Sequence, residues 1–496
     1  MIKKITFSIA IFVLLAGTFN SCLDYDELRE NPNAPTMVPP SLLFTNVTPT
    51  TSSAFSDTYE YPQYHIRSNS DGNPISYRFG SRGFRYGTLR NVLKMEEEAD
   101  RVGAPVYKIM AKFFKAYNFV DMCRSMGDVP LREALLAAEN TRPKYDTQKT
   151  VYIQCLDWLE EANLELGEFI SNNPVYVLEG DAYFNGDLTK WQKVINAYAI
   201  RVMLTLSKKA NDTDLNIKGR LATMLDNPQT YPLMTSLNDN MQLAHQDEDG
   251  YRGYYNPNNA TAKVDIILAN TFVDMLKDYE DPRLKAVADP TPSAMEANSN
   301  EDEVRNDFNS YNGGDPSAST ADNVLVRSSG GISNPNEDKY WNFVGQPTVL
   351  IGYFEQELNI AEAAHRGWVS ANAQDHYNNG VKASMEFFGV EEDEADAYLA
   401  SKAPYTTGDA GLTRIHEQMY IAFFENSGWE SFFLNRRTGV PAYKFSGENL
   451  VDKLPLRWAY PQSENDNNYD NYRAALISQF GAEVDDRDQI IWELKD

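Results

Sequence analysis

Tyr353-Phe354-Glu355-Gln356-Glu357-Leu358-Asn359-Ile360-Ala361-Glu362-Ala363-Ala364-His365-Arg366-Gly367 is the stretch that decides the fold. Its apolar residues share one face at helical spacing. Ala361, Ala363, Ala364 and Gly367 are small enough for a second helix to approach closely. The pattern predicts helices over 348–366 and 370–388, joined as a hairpin across Tyr353–Phe388. Val106–Leu166 reads the same way. Tyr107, Met110, Ala111, Phe114 and Tyr117 form one stripe; Val151, Cys155, Trp158, Leu159 and Ala162 form another. Gly127-Asp128-Val129-Pro130 breaks the run between them.

Working outward, helical periodicity covers about 88–125, Asp146–Leu166 and Thr189–Lys209, the last with Trp191, Val194, Ile195, Tyr198, Val202 and Leu206. Further helices are expected near 41–47, 263–279, 411–427 and 469–480. Hairpins with small residues at the crossing resemble tetratricopeptide packing, although the spacing is too degenerate to count repeats. Two stretches, about 50–88 and 226–345, lack this regularity. Asn, Asp, Gly, Pro and Tyr dominate the second. Loops of that length are usually functional or disordered.

The N-terminus has a different logic. Lys3-Lys4 precedes Ile5–Gly17, which is almost wholly apolar and shorter than the roughly 20 residues a bilayer span takes. Residues 1–21 therefore read as a signal peptide. Cys22 follows directly, in a relaxed lipobox, and is the expected lipidation site. Acyl chains on it would contribute about 0.8 kcal/mol per buried methylene. Residues 22–40, with Asn31-Pro32-Asn33-Ala34-Pro35, read as an extended tether. Asp24, Asp26 and Glu27 behind the cysteine resemble a surface-export signal. Residues 41–496 are expected to form a single domain.

The net charge of −26 repels phosphate backbones and sets nucleic acid aside as a partner. The five histidines form no HExxH or other metal-ligand spacing, and neither GxSxG nor a Walker loop is present. No catalytic residue, cofactor or metal is assigned. Asp247-Glu248-Asp249-Gly250 and Asn465–Asn471 offer oxygen ligands but miss the EF-hand pattern and read as solvated loops. Cys123 and Cys155 read as buried small hydrophobes; whether they pair is left open.

Ordered motifs carry a family resemblance. Gly127-Asp128-Val129-Pro130 with Glu133-Ala134, Asp187-Leu188-Thr189-Lys190-Trp191 with Asn196 and Arg201, and Asp281-Pro282-Arg283-Leu284 come first. Glu357–Ala364 with Arg366-Gly367, Arg436–Pro441 and Arg457–Pro461 complete the series. Each is weak alone; their order behind a lipobox resembles the SusD/RagB nutrient-binding outer-membrane lipoproteins. The resemblance implies an all-α fold: a tetratricopeptide-like helical-repeat scaffold with long irregular loops forming a binding face. It implies a cell-surface protein, not an enzyme, that passes an oligosaccharide or glycan to a SusC-like TonB-dependent transporter. A peptide-binding lipoprotein of the same architecture and a secreted glycan hydrolase are the alternatives. It also implies that Arg201, Glu362, Arg437 and Arg457 are buried paired charges rather than ligand contacts.

A sugar has apolar C–H faces rimmed by hydroxyls, so it needs flat rings beside polar groups. Tyr77-Arg78-Phe79 and Phe84-Arg85-Tyr86 lie in the first loop. Tyr251–Asn259 is the densest cluster in the second, followed by Tyr340-Trp341-Asn342. Tyr254, Tyr255 and Trp341 are the expected ring platforms; Tyr77, Arg78, Asn256 and Asn258 are the expected rim.

Overall fold

The computed structural model describes residues 37–49, 55–68, 79–136, 139–253, 256–445 and 453–496. The signal segment, Cys22 and most of the tether lie outside the described residues.

Helices dominate. After α1 (Pro40–Val47), a first layer comprises α2 (Tyr86–Val102), α3 (Pro105–Met126), α4 (Gln148–Asn172), α5 (Leu188–Thr205) and α6 (Ile217–Asp226). The loop-rich middle carries α7 (Asn270–Asp278) and α8 (Thr320–Ser328). A second layer follows, with α9 (Tyr353–His365), α10 (Ala373–Phe388), α11 (Glu392–Ser401), α12 (Gly408–Ala422), α13 (Glu430–Thr438) and finally α14 (Tyr469–Phe480). Sequential neighbours pack: α2 on α3, α3 on α4, α4 on α5, and α9 on α10. Helix α5 also packs on α9, which joins the layers.

Local chemistry sets these boundaries. Gly103 adopts φ +70° and ends α2, and Pro105 opens α3, where a missing N–H costs nothing. The Thr147 side chain accepts the Thr150 N–H at the start of α4, and Asp187 accepts the Thr189 N–H at the start of α5. Helix α3 is buried around most of its circumference, as expected for a central helix. Trp191, fully buried, meets the edges or faces of Phe44, Phe113, Phe114 and Phe184. Each such ring contributes about 1.5–3 kcal/mol by leaving water. A second core forms around α7, α9, α10 and α12, where Phe272 stacks on Phe424 and Tyr64 on Tyr420.

Two expected helices are partly strand. Thr348–Ile351 is strand β4, which pairs antiparallel with β2 (Met241–Leu243), so the helix begins only at Tyr353. Within 263–279, β3 (Ile266–Leu268) pairs with β1 (His65–Arg67) before α7 starts. Both segments are short, apolar and β-branched, a composition that fits a buried ladder. Conversely, the 226–345 region holds several short helices. Thr291, Asn300, Ser319 and Asn336 side chains cap their N-termini. The polar residues that gave a loop reading are helix starts.

The ordered motifs are structural. Gly127 has φ +114°, and a Cβ there would lie 2.3 Å from Gln479 Oε1. Asp128 Oδ1 accepts the Gln148 N–H at 2.8 Å. Arg283 and Asp281 form an ion pair with no exposed side-chain surface. Glu362 accepts from Arg437 and faces His416 at 3.0 Å. Arg201 pairs with Glu355, and Arg457 with Asp485. The four implied residues are thus buried paired charges. In the α9–α10 hairpin, Ala361 and Ala363 are fully buried. Gly367 is not a packing residue: its φ is +70° and a Cβ would meet nothing within 4 Å. The close approach is at Gly380, where a Cβ would lie 2.7 Å from Leu358.

Candidate functional site

A cavity of about 110 Å³ opens where the segment after Phe79, helices α3 and α5, and the turn before α13 meet. Its wall includes Arg82, Arg85, Tyr117, Asp121, Trp429 and Glu430. Phe79 stacks on Trp458 with centroids 4.3 Å apart, and the Arg82 N–H donates to the Ala459 carbonyl at 3.0 Å. These contacts fix the Arg82–Arg85 segment. Tyr117 and Asp121 lie four residues apart on α3, hence on one face. The Tyr117 ring lies 5.2 Å from Tyr198, and burial pushes its phenol up to about 12, so it stays neutral.

The opposite wall is held by an unusual turn. Glu425, Ser427 and Gly428 have φ of +54°, +59° and +60°. Non-glycine residues in that region cost on the order of 1–3 kcal/mol and persist where surroundings over-determine them. Here the Ser427 N–H donates to the Val349 carbonyl at 2.8 Å, and Asn426 Nδ2 donates to the Ala422 carbonyl. Glu425 accepts the Phe55 N–H and lies 3.2 Å from His65 Nδ1. The turn ends on Trp429, which is half-buried against Phe79, Phe432 and Trp458.

The charges are organised. Arg82 donates to both Asp121 oxygens, and Arg85 Nε donates to Oδ2 at 3.1 Å. Burial pushes the Asp121 carboxyl up, but Arg82 and Arg85 outweigh it and hold it below its ordinary value. Arg124 grips Glu430 through two bonds of 2.8 Å. Burial opposes ionisation of Glu430 as well, and Arg124 with Arg201 wins, so Glu430 is also lowered. Glu355, deeper, is raised by burial although Arg201 donates to it. Both cavity carboxylates are therefore ionised and engaged. Neither is the raised, cleft-facing acid a glycosidase needs.

Of the expected site residues, Tyr77, Arg78, Tyr254, Tyr255 and Cys22 lie outside the described residues. Asn256 and Asn258 are exposed and share one turn, where Asn256 Oδ1 accepts the Asn258 N–H at 2.9 Å. Trp341 is a correction. It is 7% exposed and stacks on Phe55 with centroids 5.4 Å apart. It is a core ring, because the short helix Glu337–Tyr340 carries it under the loops. The same loops meet nearby, where the Gly253 N–H donates to the Phe343 carbonyl and Arg252 lies over the Phe343 ring. Trp429, Tyr117 and Asp121 were missed. The last two sit inside a predicted helix, and Trp429 follows one; only Ser427-Gly428 ahead of the Trp signals a turn. Arg85 falls in the Phe84-Arg85-Tyr86 triplet noted in the sequence.

Elsewhere, a cavity of about 230 Å³ lies between α4, α5 and α6, but its Arg220 is committed to Asp157, Glu160 and the Leu215 carbonyl. Asp247 and Asp249 are bound by Arg252. Among the described residues, no group of three His, Cys, Asp or Glu side chains could hold a metal. Cys123 and Cys155 are buried free thiols. No helix among the described residues is long and apolar enough to cross a membrane.

Residues 32–461 match the SusD-like family model described as "starch-binding associating with outer membrane". The chain belongs to the SusD-like family. Solved SusD-like structures superpose over nearly the whole molecule. A SusD homolog from Bacteroides fragilis is 33% identical with a TM-score of 0.82, covering 92% of this chain and 100% of that one. A candidate nutrient-binding outer-membrane protein of Bacteroides vulgatus is 32% identical with a TM-score of 0.81, at the same coverages. A chitin-binding SusD homolog from Flavobacterium johnsoniae, 19% identical with a TM-score of 0.69, covers 93% of this chain and 96% of that one and shares the fold. No curated protein matches the chain. The expected SusD-like, all-α reading holds, and outer-membrane association goes with the family.

Proposed function

We propose that this SusD-like chain is a surface lipoprotein, anchored through Cys22, that binds a glycan or oligosaccharide and hands it to a TonB-dependent transporter without cleaving it. The observation that carries the binding reading is the cavity. Half-buried Trp429 and Tyr117 provide rings, Arg82 and Arg85 provide donors, and the two carboxylates are tied down by arginines. That is the ring-plus-polar-rim chemistry a sugar requires. The chitin-binding relative of the same fold agrees with it. Tyr77 and Arg78 are proposed as polar or rim partners of the ligand. Tyr254, Tyr255, Asn256 and Asn258 are proposed as a second contact on the loop face. The test is affinity electrophoresis of residues 23–496 in a panel of soluble polysaccharides, with product analysis. Retardation without cleavage is expected; released product would make the protein a hydrolase.

A further inference from the structure

The cavity's charge is opposite to that of the molecule. The chain carries −26 overall. Yet the cavity is walled by four guanidinium groups, Arg82, Arg85, Arg124 and Arg201, against two carboxylates, Asp121 and Glu430. Including Glu355, the partner of Arg201, still leaves the cluster one positive charge in excess. The surplus is exposed where a ligand would meet it. The Arg85 side chain is 50% exposed, and only its Nε is engaged, by Asp121; among the described residues, its two terminal nitrogens have no partner. Deeper in the wall, Arg124 is 5% exposed and its Nε is buried without a hydrogen-bond partner.

We infer that the cavity takes an acidic sugar, with the carboxylate or sulfate of the ligand seated on Arg85. The inference rests on the glycan-binding reading above and narrows it to a substrate class. A guanidinium with both terminal N–H pairs free is a fork that matches a carboxylate or sulfate bidentately. The cavity, at about 110 Å³, has room for such a group and the edge of its ring, not for a whole oligosaccharide. The remainder of the chain would run outward along Trp429. The low-dielectric walls around the cluster limit screening, so its positive excess attracts an anion locally, against the repulsion of the negatively charged surface around it.

The test uses matched pairs that keep the same sugar rings and differ in their acidic groups: an oligogalacturonide and its carboxyl-reduced counterpart, sialyllactose and its carboxyl-reduced counterpart, and a chondroitin sulfate oligosaccharide with its desulfated, carboxyl-reduced form. Binding is measured by titration calorimetry with residues 23–496 and with Arg85→Gln. The expected result is that at least one acidic member binds about five- to tenfold tighter than its neutral partner. The gap should shrink in about 0.5 M salt, where the Debye length falls below 5 Å. It should close in Arg85→Gln. If every neutral member binds as well as its acidic partner, the acidic-sugar inference fails and glycan binding stands. If neither these probes nor the polysaccharide panel bind, both readings fail.

Discussion

Asp128 is a buried carboxylate with a consequence for stability. Burial raises it to about 6 from 3.8, more than the Gln148 N–H bond lowers it. A raised folded value favours the neutral acid in the fold. The contribution is complete below the unfolded value near pH 4 and is lost as pH rises through about 6. Thermal unfolding of wild type and Asp128→Asn at pH 5 and 7 should therefore diverge: wild type gains on acidification relative to the variant, by about 1–2 kcal/mol. An unchanged difference would show that Asp128 is ionised throughout. Glu362 behaves oppositely. Burial resists its charge, but Arg437 and His416 overcome it and hold the carboxyl well below its usual range. Its contribution is present above about pH 4 and lost as pH falls through its lowered value. Glu362→Gln leaves Arg437 buried without a counter-charge and should cost about 3–5 kcal/mol by denaturant unfolding at pH 7. Residue roles of this kind were legible as motif letters, since Arg201, Glu362, Arg437 and Arg457 are paired as the resemblance implied. Ring roles were not. Trp341 and Trp429 both sit in polar surroundings in the sequence, and only packing against Phe55 separates the core ring from the cavity ring.

Elements follow the same division. The helical hairpins were readable because small and apolar residues recur at helical spacing, and α9 with α10 confirms the Tyr353–Phe388 reading. Which glycine makes the contact was not readable, because a helix-end glycine and a crossing glycine look alike in sequence. Gly380→Val should force α9 and α10 apart, since even a Cβ would lie 2.7 Å from Leu358. Overpacking of this type costs about 1–3 kcal/mol. Gly367→Ala, at an open helix end, should cost only the backbone strain, about 1 kcal/mol. Equal losses in the two variants, read by denaturant unfolding, would reject the crossing assigned to Gly380. The 226–345 region was misread as loop because its helices are short. Each is signalled mainly by its capping residue, and Asn or Ser serves caps and loops alike.

At the scale of the whole molecule, fold and family were legible from 127 to 461, and the cavity was not. It is assembled from α3, α5, the segment after Phe79 and the turn at Ser427, which are far apart in sequence and meet only through tertiary packing. The anchor makes its own prediction. Cys22→Ser should move the protein from the membrane fraction to the soluble fraction, and mass spectrometry of wild type should find acyl chains on the Cys22 peptide. The central claim is non-catalytic glycan binding through the cavity at Arg85 and Trp429. The most direct measurement is affinity electrophoresis of wild type and Arg85→Ala against the polysaccharide panel, with product analysis and a melting curve for each. The account predicts retardation of wild type, a several-fold weaker effect in Arg85→Ala at unchanged melting temperature, and no product. Equal retardation of the two proteins, or any released oligosaccharide, would contradict it.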